Sequence, residues 1–249
     1  MKPDLTYEIN FKTSYKNSFL NNMSKKIKVI DSILTRLPYS LYSKLIKYDY
    51  SINERIVEIP FLYKSISNLP LESKILDVGC NYSLNSLRLS SLGYDVYGID
   101  INDCWFEHSN FKFIKSSITK TMFEDNFFDC VIAISTLEHI GYSEYSGEIN
   151  IDDFDAVKEI KRILKDDGFF IMTAPYGSGG EVKGFERIYN SKRIEKLFFG
   201  FKIVNKEFYF RKSDKEWIRV EEEFLKDKAF DEKGRILGCI GVVAQNKKD

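Results

Sequence analysis

Excess charge of either sign is missing from this chain of 249 residues: lysine plus arginine number 37, and aspartate plus glutamate also number 37. Nucleic acid is a polyanion that selects basic surfaces, so the balance argues against it as a partner. Cysteine is scarce. The four residues Cys80, Cys104, Cys130 and Cys239 form no C-x-x-C pair, which speaks against a zinc ribbon or a disulfide framework and predicts buried, reduced thiols. Long apolar runs are absent too: those around Val131 to Ile134 and Ile236 to Ala244 are too short to cross a bilayer. The first residues, MKPDLTYEIN, lack the apolar core of a secretion signal, so a soluble cytoplasmic protein is expected. No internal repeat or low-complexity segment interrupts the chain.

What is present centres on residues 74–100, KILDVGCNYSLNSLRLSSLGYDVYGID. Ile75, Leu76 and Val78 predict a strand that stops at Gly79. A polar turn of Cys80, Asn81, Tyr82 and Ser83 leads into helix-spaced Leu84, Leu87, Leu89 and Leu92, with Ser83 as the expected N-cap. A second strand with Val96, Tyr97 and Ile99 ends on the acid Asp100. A strand-end carboxylate about twenty residues past the glycine suits the hydroxyls of a ribose, which points to an adenosine-bearing cofactor. Dinucleotides are disfavoured, because their pyrophosphate requires G-x-G-x-x-G and only Gly79 is present. Asn81 stands where a second glycine is usual, and Asn reaches left-handed backbone more readily than most residues.

The rest of the chain alternates in the same way. Strands are expected at NFKFI (110–114), from Phe128 to Ser135, at FFIMTAP (169–175), at FKIVNKEFYF (201–210) and at ILGCIGVVAQ (236–245). Helices are expected from Asp153 to Leu164, capped by Asp152 or Asp153, and from Ser191 to Phe198. The segment PYGSGGEVKGFERIY reads as a mobile, glycine-rich loop. Ahead of the first strand, residues 1–70 read as a helical extension. Two amphipathic helices lie between Ser18 and Lys47, and a third piece carries Glu54, Arg55 and Glu58 close to the first turn, with Pro60 throwing its continuity into question.

LDVGCN resembles motif I of the class I S-adenosylmethionine (SAM) methyltransferases, an acid followed by spaced glycines; FEDNFFDCVIAISTLEHIG and VKEIKRILKDDGFFIMTAPYG resemble the fourth-strand and fifth-strand regions of the same family. The resemblance runs from about Ser73 to Asn246. It implies an α/β, Rossmann-like, seven-stranded and mostly parallel sheet with an antiparallel last strand and helices on both faces, in a SAM-binding domain spanning 71–249. It also implies that Asp77, Gly79, Cys80 and Asn81 lie at the methionine end of SAM. Asp100 then holds the ribose, Ile101 and Ile118 flank the adenine, Ser117 replaces the usual acid near the adenine amino group, and Ser135 lies near the sulfonium. ERIVEIPF, SLGYDVYGID, ISTLEHIG and FERIYN further resemble methyltransferases of surface-polysaccharide synthesis.

His139, with Glu138 beside it, is the candidate catalytic base, since an imidazole titrates near neutrality. No metal is expected, because adjacent residues point apart and spacing suggests no third ligand. Tyr176, Arg187 and Tyr189 flank the glycine loop as candidate substrate residues, the arginine suited to an anionic group. The family's Asn-Pro-Pro-aromatic signature of nitrogen methylation is missing, ISTLEH standing in its place, so oxygen of a small-molecule or glycan acceptor is preferred. The competing reading is a cofactor-free scaffold or binding module that keeps the fold. Oligomeric state is not legible in the sequence.

Overall fold

The computed structural model describes residues 52–81, 83–142, 151–182, 185–232 and 234–247. The chain divides into two compact units, Met1–Tyr50 and Ser51–Asp249, and the second contains the whole sheet. The two helices expected between Ser18 and Lys47 lie outside the described residues. Among those described, no helix is long and apolar enough to cross a membrane.

Helix α1 (Arg55–Ile66) precedes strand β1 (Lys74–Val78) and is continuous through Pro60. Proline removes one N–H, and the carbonyl it leaves without an intrahelical partner belongs to Ile56, which is 53% exposed, so water can satisfy it. The opposite face buries Phe61, Leu62 and Ile66 against Ile75 and Val243 of the sheet, each burial giving about 1.5–3 kcal/mol. This helix therefore packs on the sheet.

After β1 come α2 (Asn85–Ser91), β2 (Asp95–Asp100), β3 (Phe111–Lys115), β4 (Phe128–Ile134) and a single 3₁₀ turn (Leu137–His139). Next are α3 (Asp153–Ile163), β5 (Leu164–Pro175), a short hairpin of β6 (Gly180–Val182) and β7 (Glu186–Ile188), and α4 (Ser191–Leu197). The chain closes with β8 (Phe201–Ser213), β9 (Glu216–Val220), the one-turn α5 (Glu222–Leu225) and β10 (Gly238–Asn246).

The main sheet has eight strands in the order β3-β2-β1-β4-β5-β10-β8-β9. β1 to β5 run parallel, and β10 inserts antiparallel between β5 and β8. β4 reads as an unbroken apolar run because a central parallel strand is covered on both faces. Its Val131 and Ala133 enter one core with α3 and α4, while Cys130, Ile132 and Ile134 enter the other with α1 and α2. The eighth strand, β9, is additional to the seven expected; it lies in a charged segment whose alternating Trp217 and half-buried neighbours are masked by surrounding Lys and Glu.

Two local expectations change. Of the leucines expected to face inward from α2 only Leu89 is buried: Leu84 and Leu92 are exposed, and the buried face is Asn85, Ser86, Leu89 and Ser90. Small serines let the helix approach the sheet, and their hydroxyls are satisfied, Ser86 donating to Asp77 at 2.6 Å and Ser90 to the Ser86 carbonyl at 2.8 Å. The glycine-rich loop is not wholly irregular but carries the β6–β7 hairpin. Helix α3 has the capping box its sequence implies: Asp152 accepts from the Phe154 and Asp155 N–H groups, and Asp155 accepts from the Asp152 N–H.

Candidate active site

The strand order reverses between β1 and β4, and ligands bind open α/β sheets at such a switch, beyond the carboxyl ends of the strands. There the structure holds a cleft of about 310 Å³. Gly79, Asp100, Ile101, Ser117, Ile118, Ser135 and His139 all line it, together with Arg55, Ile99, Thr136 and Ile140. Gly79 has φ +76°, and a Cβ there would fall 2.5 Å from Thr136 Cγ2 and 2.6 Å from Thr136 Oγ1. Thr136 is itself held by a 3.0 Å bond to the Val78 carbonyl. Glycine is thus required twice, by backbone conformation and by close approach of the fourth-strand loop.

Asp100 accepts the Asn81 N–H at 3.1 Å and the Asn102 N–H at 2.8 Å, one bond on each oxygen. A carboxylate has about four acceptor positions, so two remain for a diol. The side-chain aperture is apolar around Ile99, Ile101 and Ile118 and polar at Asp100 and Ser117, which suits a flat heterocycle joined to a sugar. These residues fit the adenosine half of SAM. Trp105 closes the first turn by donating from Nε1 to the Asn81 carbonyl at 2.9 Å.

Three of the expected cofactor residues stand behind the cleft. Asp77, Cys80 and Asn81 are 1%, 0% and 7% exposed and do not line it. Asn81 does not adopt left-handed backbone; among the described residues of this turn only Gly79 does. Ser83 is likewise no cap in full: Leu84 occupies the N-cap position, and Ser83 instead bonds Asp77 at 3.3 Å while accepting weakly from the Asn85 N–H at 3.4 Å.

Burial pushes the Asp77 carboxyl up to about 6, against the opposing hydrogen bonds of Ser86 and Ser83. The folded state therefore holds this proton more tightly than the unfolded chain does. The resulting stabilisation is complete below the unfolded value of 3.8 and is lost as pH rises through about 6. A difference of that size corresponds to roughly 3 kcal/mol between pH 4 and pH 8. Asp77→Asn is expected to flatten this part of the profile, as urea unfolding midpoints at several pH values would show; parallel profiles for the two proteins would exclude Asp77 as a source.

A second cleft, of about 430 Å³, adjoins the first and shares Arg55, Ser135 and His139 with it. Its other walls include Glu54, Glu138, Phe185, Glu186, Arg211, Trp217 and Arg235. Ser135, at the junction, has φ +47°, a strained conformation for a residue with a side chain. It is held there by its N–H on Thr173 and by its hydroxyl, which donates to Glu58 Oε1 at 2.5 Å. Glu58 is fully buried and is paired with Arg55 at 2.7 Å. The segment ahead of the first strand thus reaches the site as expected, with Arg55 in both clefts and Glu58 beneath them.

Glu138 and His139 sit on the 3₁₀ turn, and β7 packs against that turn. Burial raises the Glu138 carboxyl well above the usual carboxylate range, and burial next to Glu54 brings Glu186 up to about 7. Burial also lowers the His139 imidazole, so the neutral ring is favoured at neutral pH. His139 Nδ1 donates to the Phe185 carbonyl at 3.0 Å, which places the ring's lone pair on Nε2. Glu186 was not foreseen. It comes near Glu138 and His139 because the hairpin folds back, a contact that spacing along the chain does not reveal.

The expected substrate residues lie elsewhere. Tyr176 and Tyr189 are 1% and 0% exposed, with hydroxyls donated to Glu222 and to Asp153. Arg187 lines neither cleft; it donates to the Leu137 and Ile140 carbonyls and faces Asp153 at 3.6 Å, bracing the 3₁₀ turn from behind.

Comparison with known proteins agrees with this geometry. The family model described as "Methyltransferase domain" matches residues 76–172. Comparison with curated protein sequences gives no match. Among solved structures, the chain is similar to a SAM-dependent methyltransferase from Methanosarcina mazei, with 16% identity, a TM-score of 0.52 and coverage of 76% of this chain and 98% of that one. It is also similar to a 1,6-didemethyltoxoflavin N1-methyltransferase from Burkholderia thailandensis holding S-adenosylhomocysteine, with 12% identity, a TM-score of 0.56 and coverage of 97% and 99%. A third is phosphoethanolamine N-methyltransferase 2 from Haemonchus contortus in complex with SAM, with 16% identity, a TM-score of 0.54 and coverage of 77% and 52%. At these identities the structures show the fold, and the domain match and the cleft at the strand ends agree with SAM as the cofactor. Residues 76–172 match a methyltransferase domain, and the chain has the fold of the SAM-dependent methyltransferases.

Proposed function

We propose that the chain methylates an oxygen of a small-molecule or sugar-containing acceptor bound in the second cleft. The observation that carries this reading is the junction: Arg55, Ser135 and His139 belong to both clefts, so a donor in one and an acceptor in the other meet at these side chains. SAM supplies an activated methyl group when bound. The chain's share is to hold the acceptor in line and to manage its proton.

In this reading Asp100 holds the ribose, Ile101 and Ile118 flank the adenine with Ser117 beside it, and Gly79 and Ser135 border the methionine end. Asp77, Cys80 and Asn81 support the turn from behind. The acceptor hydroxyl lies at the corner of Ser135, Glu138 and His139, with His139 as the proton-handling group. Trp217 and Phe185 give flat apolar faces, and carboxylates and arginines surround them, a lining suited to a polar ring such as a sugar. An association with surface-polysaccharide synthesis agrees with that lining. The N-terminal extension, residues 1–70, is proposed to contribute to acceptor choice.

Asp100→Ala is expected to weaken S-adenosylhomocysteine binding by about 1.5–3 kcal/mol, measured by calorimetric titration. Unchanged affinity in folded protein would remove the ribose assignment. For the acceptor, methyl transfer from labelled SAM to saccharides and hydroxylated small molecules is compared with transfer to amines, and the product is located by mass spectrometry. Transfer confined to amines would overturn the oxygen reading.

A further inference from the structure

We propose that Glu138, His139 and Glu186 form a binding site for one divalent first-row transition-metal ion, with Mn²⁺ and Zn²⁺ the best matched. One carboxylate oxygen from each glutamate and one ring nitrogen of His139 lie within 4.8 Å of one another. Two ligands on an ion with bonds of about 2.0–2.2 Å can be at most about 4.4 Å apart. Side-chain adjustments of a few tenths of an ångström would therefore close the set. A mixed imidazole and carboxylate set is the donor chemistry that these ions favour.

Proximity of acids is not by itself a site, and a second observation points to a ligand. Glu138 is 1% exposed, and among the described residues its Oε2 is sealed from solvent without a hydrogen-bond partner. A buried carboxyl oxygen without a partner is destabilising, a cost that a bound cation would offset. The guanidinium of Arg55, which lines the same cleft, is already bonded to Glu58 at 2.7 Å and reaches the Ile134 carbonyl.

The surroundings have the features a metal centre needs. His139 gives its Nδ1 proton to a backbone carbonyl, the outer bond that orients a metal-binding imidazole through Nε2. Glu186 is carried on β7, whose end is anchored by the Tyr189 hydroxyl on buried Asp153 at 2.8 Å. All three side chains line the second cleft, so an ion has an approach and room for further oxygen ligands from water or an acceptor. The assignment goes beyond the acceptor reading and alters one role in it. With the ion in place, His139 serves as a ligand and an acceptor hydroxyl gives its proton to water under the ion's charge.

The test uses the full chain, stripped with a chelator and dialysed, then titrated calorimetrically with MnCl₂ and with ZnCl₂. One ion per chain with at least micromolar affinity is expected. Glu138→Gln and Glu186→Gln should each weaken it by at least the roughly 10–100-fold seen for loss of outer-shell partners. Thermal unfolding confirms that both variants fold. S-adenosylhomocysteine is titrated into the same samples and is expected to bind all of them alike. Absence of saturable metal binding in protein that binds S-adenosylhomocysteine would overturn the metal site alone, as would binding that survives in both variants. Failure to bind S-adenosylhomocysteine would instead count against the methyltransferase reading.

Discussion

Asp153→Ala is expected to lower the unfolding free energy by about 3–5 kcal/mol, the cost of removing one partner from a buried ion-pair network. Asp153 has no exposed surface, and its carboxylate accepts from the Tyr189 hydroxyl at 2.8 Å and from Arg193 Nε at 3.0 Å, with Arg193 Nη2 making a second bond. Arg187 stands 3.6 Å away and is 12% exposed, so the substitution strands cationic charge in a largely dry setting. Asp153 also lies in the first turn of α3, where a negative charge is favoured by the helix dipole. Because Arg187 holds the Leu137 and Ile140 carbonyls, the loss should reach the 3₁₀ turn as well as the global stability. Chemical denaturation measures the first, and a loss below about 1 kcal/mol would mean that the guanidinium groups find other partners.

His139→Ala is expected to lower kcat by about 10²- to 10⁴-fold, the range typical for a positioned proton-transfer group. S-adenosylhomocysteine affinity should change little, since Asp100 and the isoleucines around it hold the adenosine. The structural alternative is specific: the ring also contacts Phe185, with centroids 5.1 Å apart, and bonds its carbonyl, so His139 helps to seat the hairpin. Steady-state kinetics beside titration of the same variant separates the two. A folded variant with unaltered kcat would leave His139 with the seating role alone.

The adenosine half of the site was legible because its information is local. Gly79 and Asp100 lie on adjacent parallel strands within one short stretch, and a turn followed by a strand-end acid has a recognisable spacing. Even there, Asn81 was misjudged, because the left-handed position belongs to Gly79 and the close neighbour that demands it, Thr136, comes from a distant strand. The acceptor half was not legible for the same reason in reverse. Glu186, Trp217 and Arg235 reach the second cleft from the hairpin, from β9 and from the loop before β10, and no period or motif links them. Tyr176 and Tyr189 looked accessible beside a glycine-rich loop, yet a backbone bridge between them draws both into the core. The sheet itself was readable from alternation, apart from β9, where charged residues on the exposed face obscure the pattern.

That extra strand bears on self-association. A sheet ending in β8 would present Phe208 to Ser213 as an open row of backbone donors and acceptors, and such rows recruit strands from other molecules. β9 occupies that row and is itself only five residues long, with Glu216 and Arg219 along it. Among the described residues, what remains unpaired on the outer side of β8 is the stretch from Phe201 to Lys206, where Lys202 and Lys206 would bring like charges together if two edges met. β9, whose Trp217 helps to wall the second cleft, thereby also guards this edge of the sheet against adding strands from other copies of the chain.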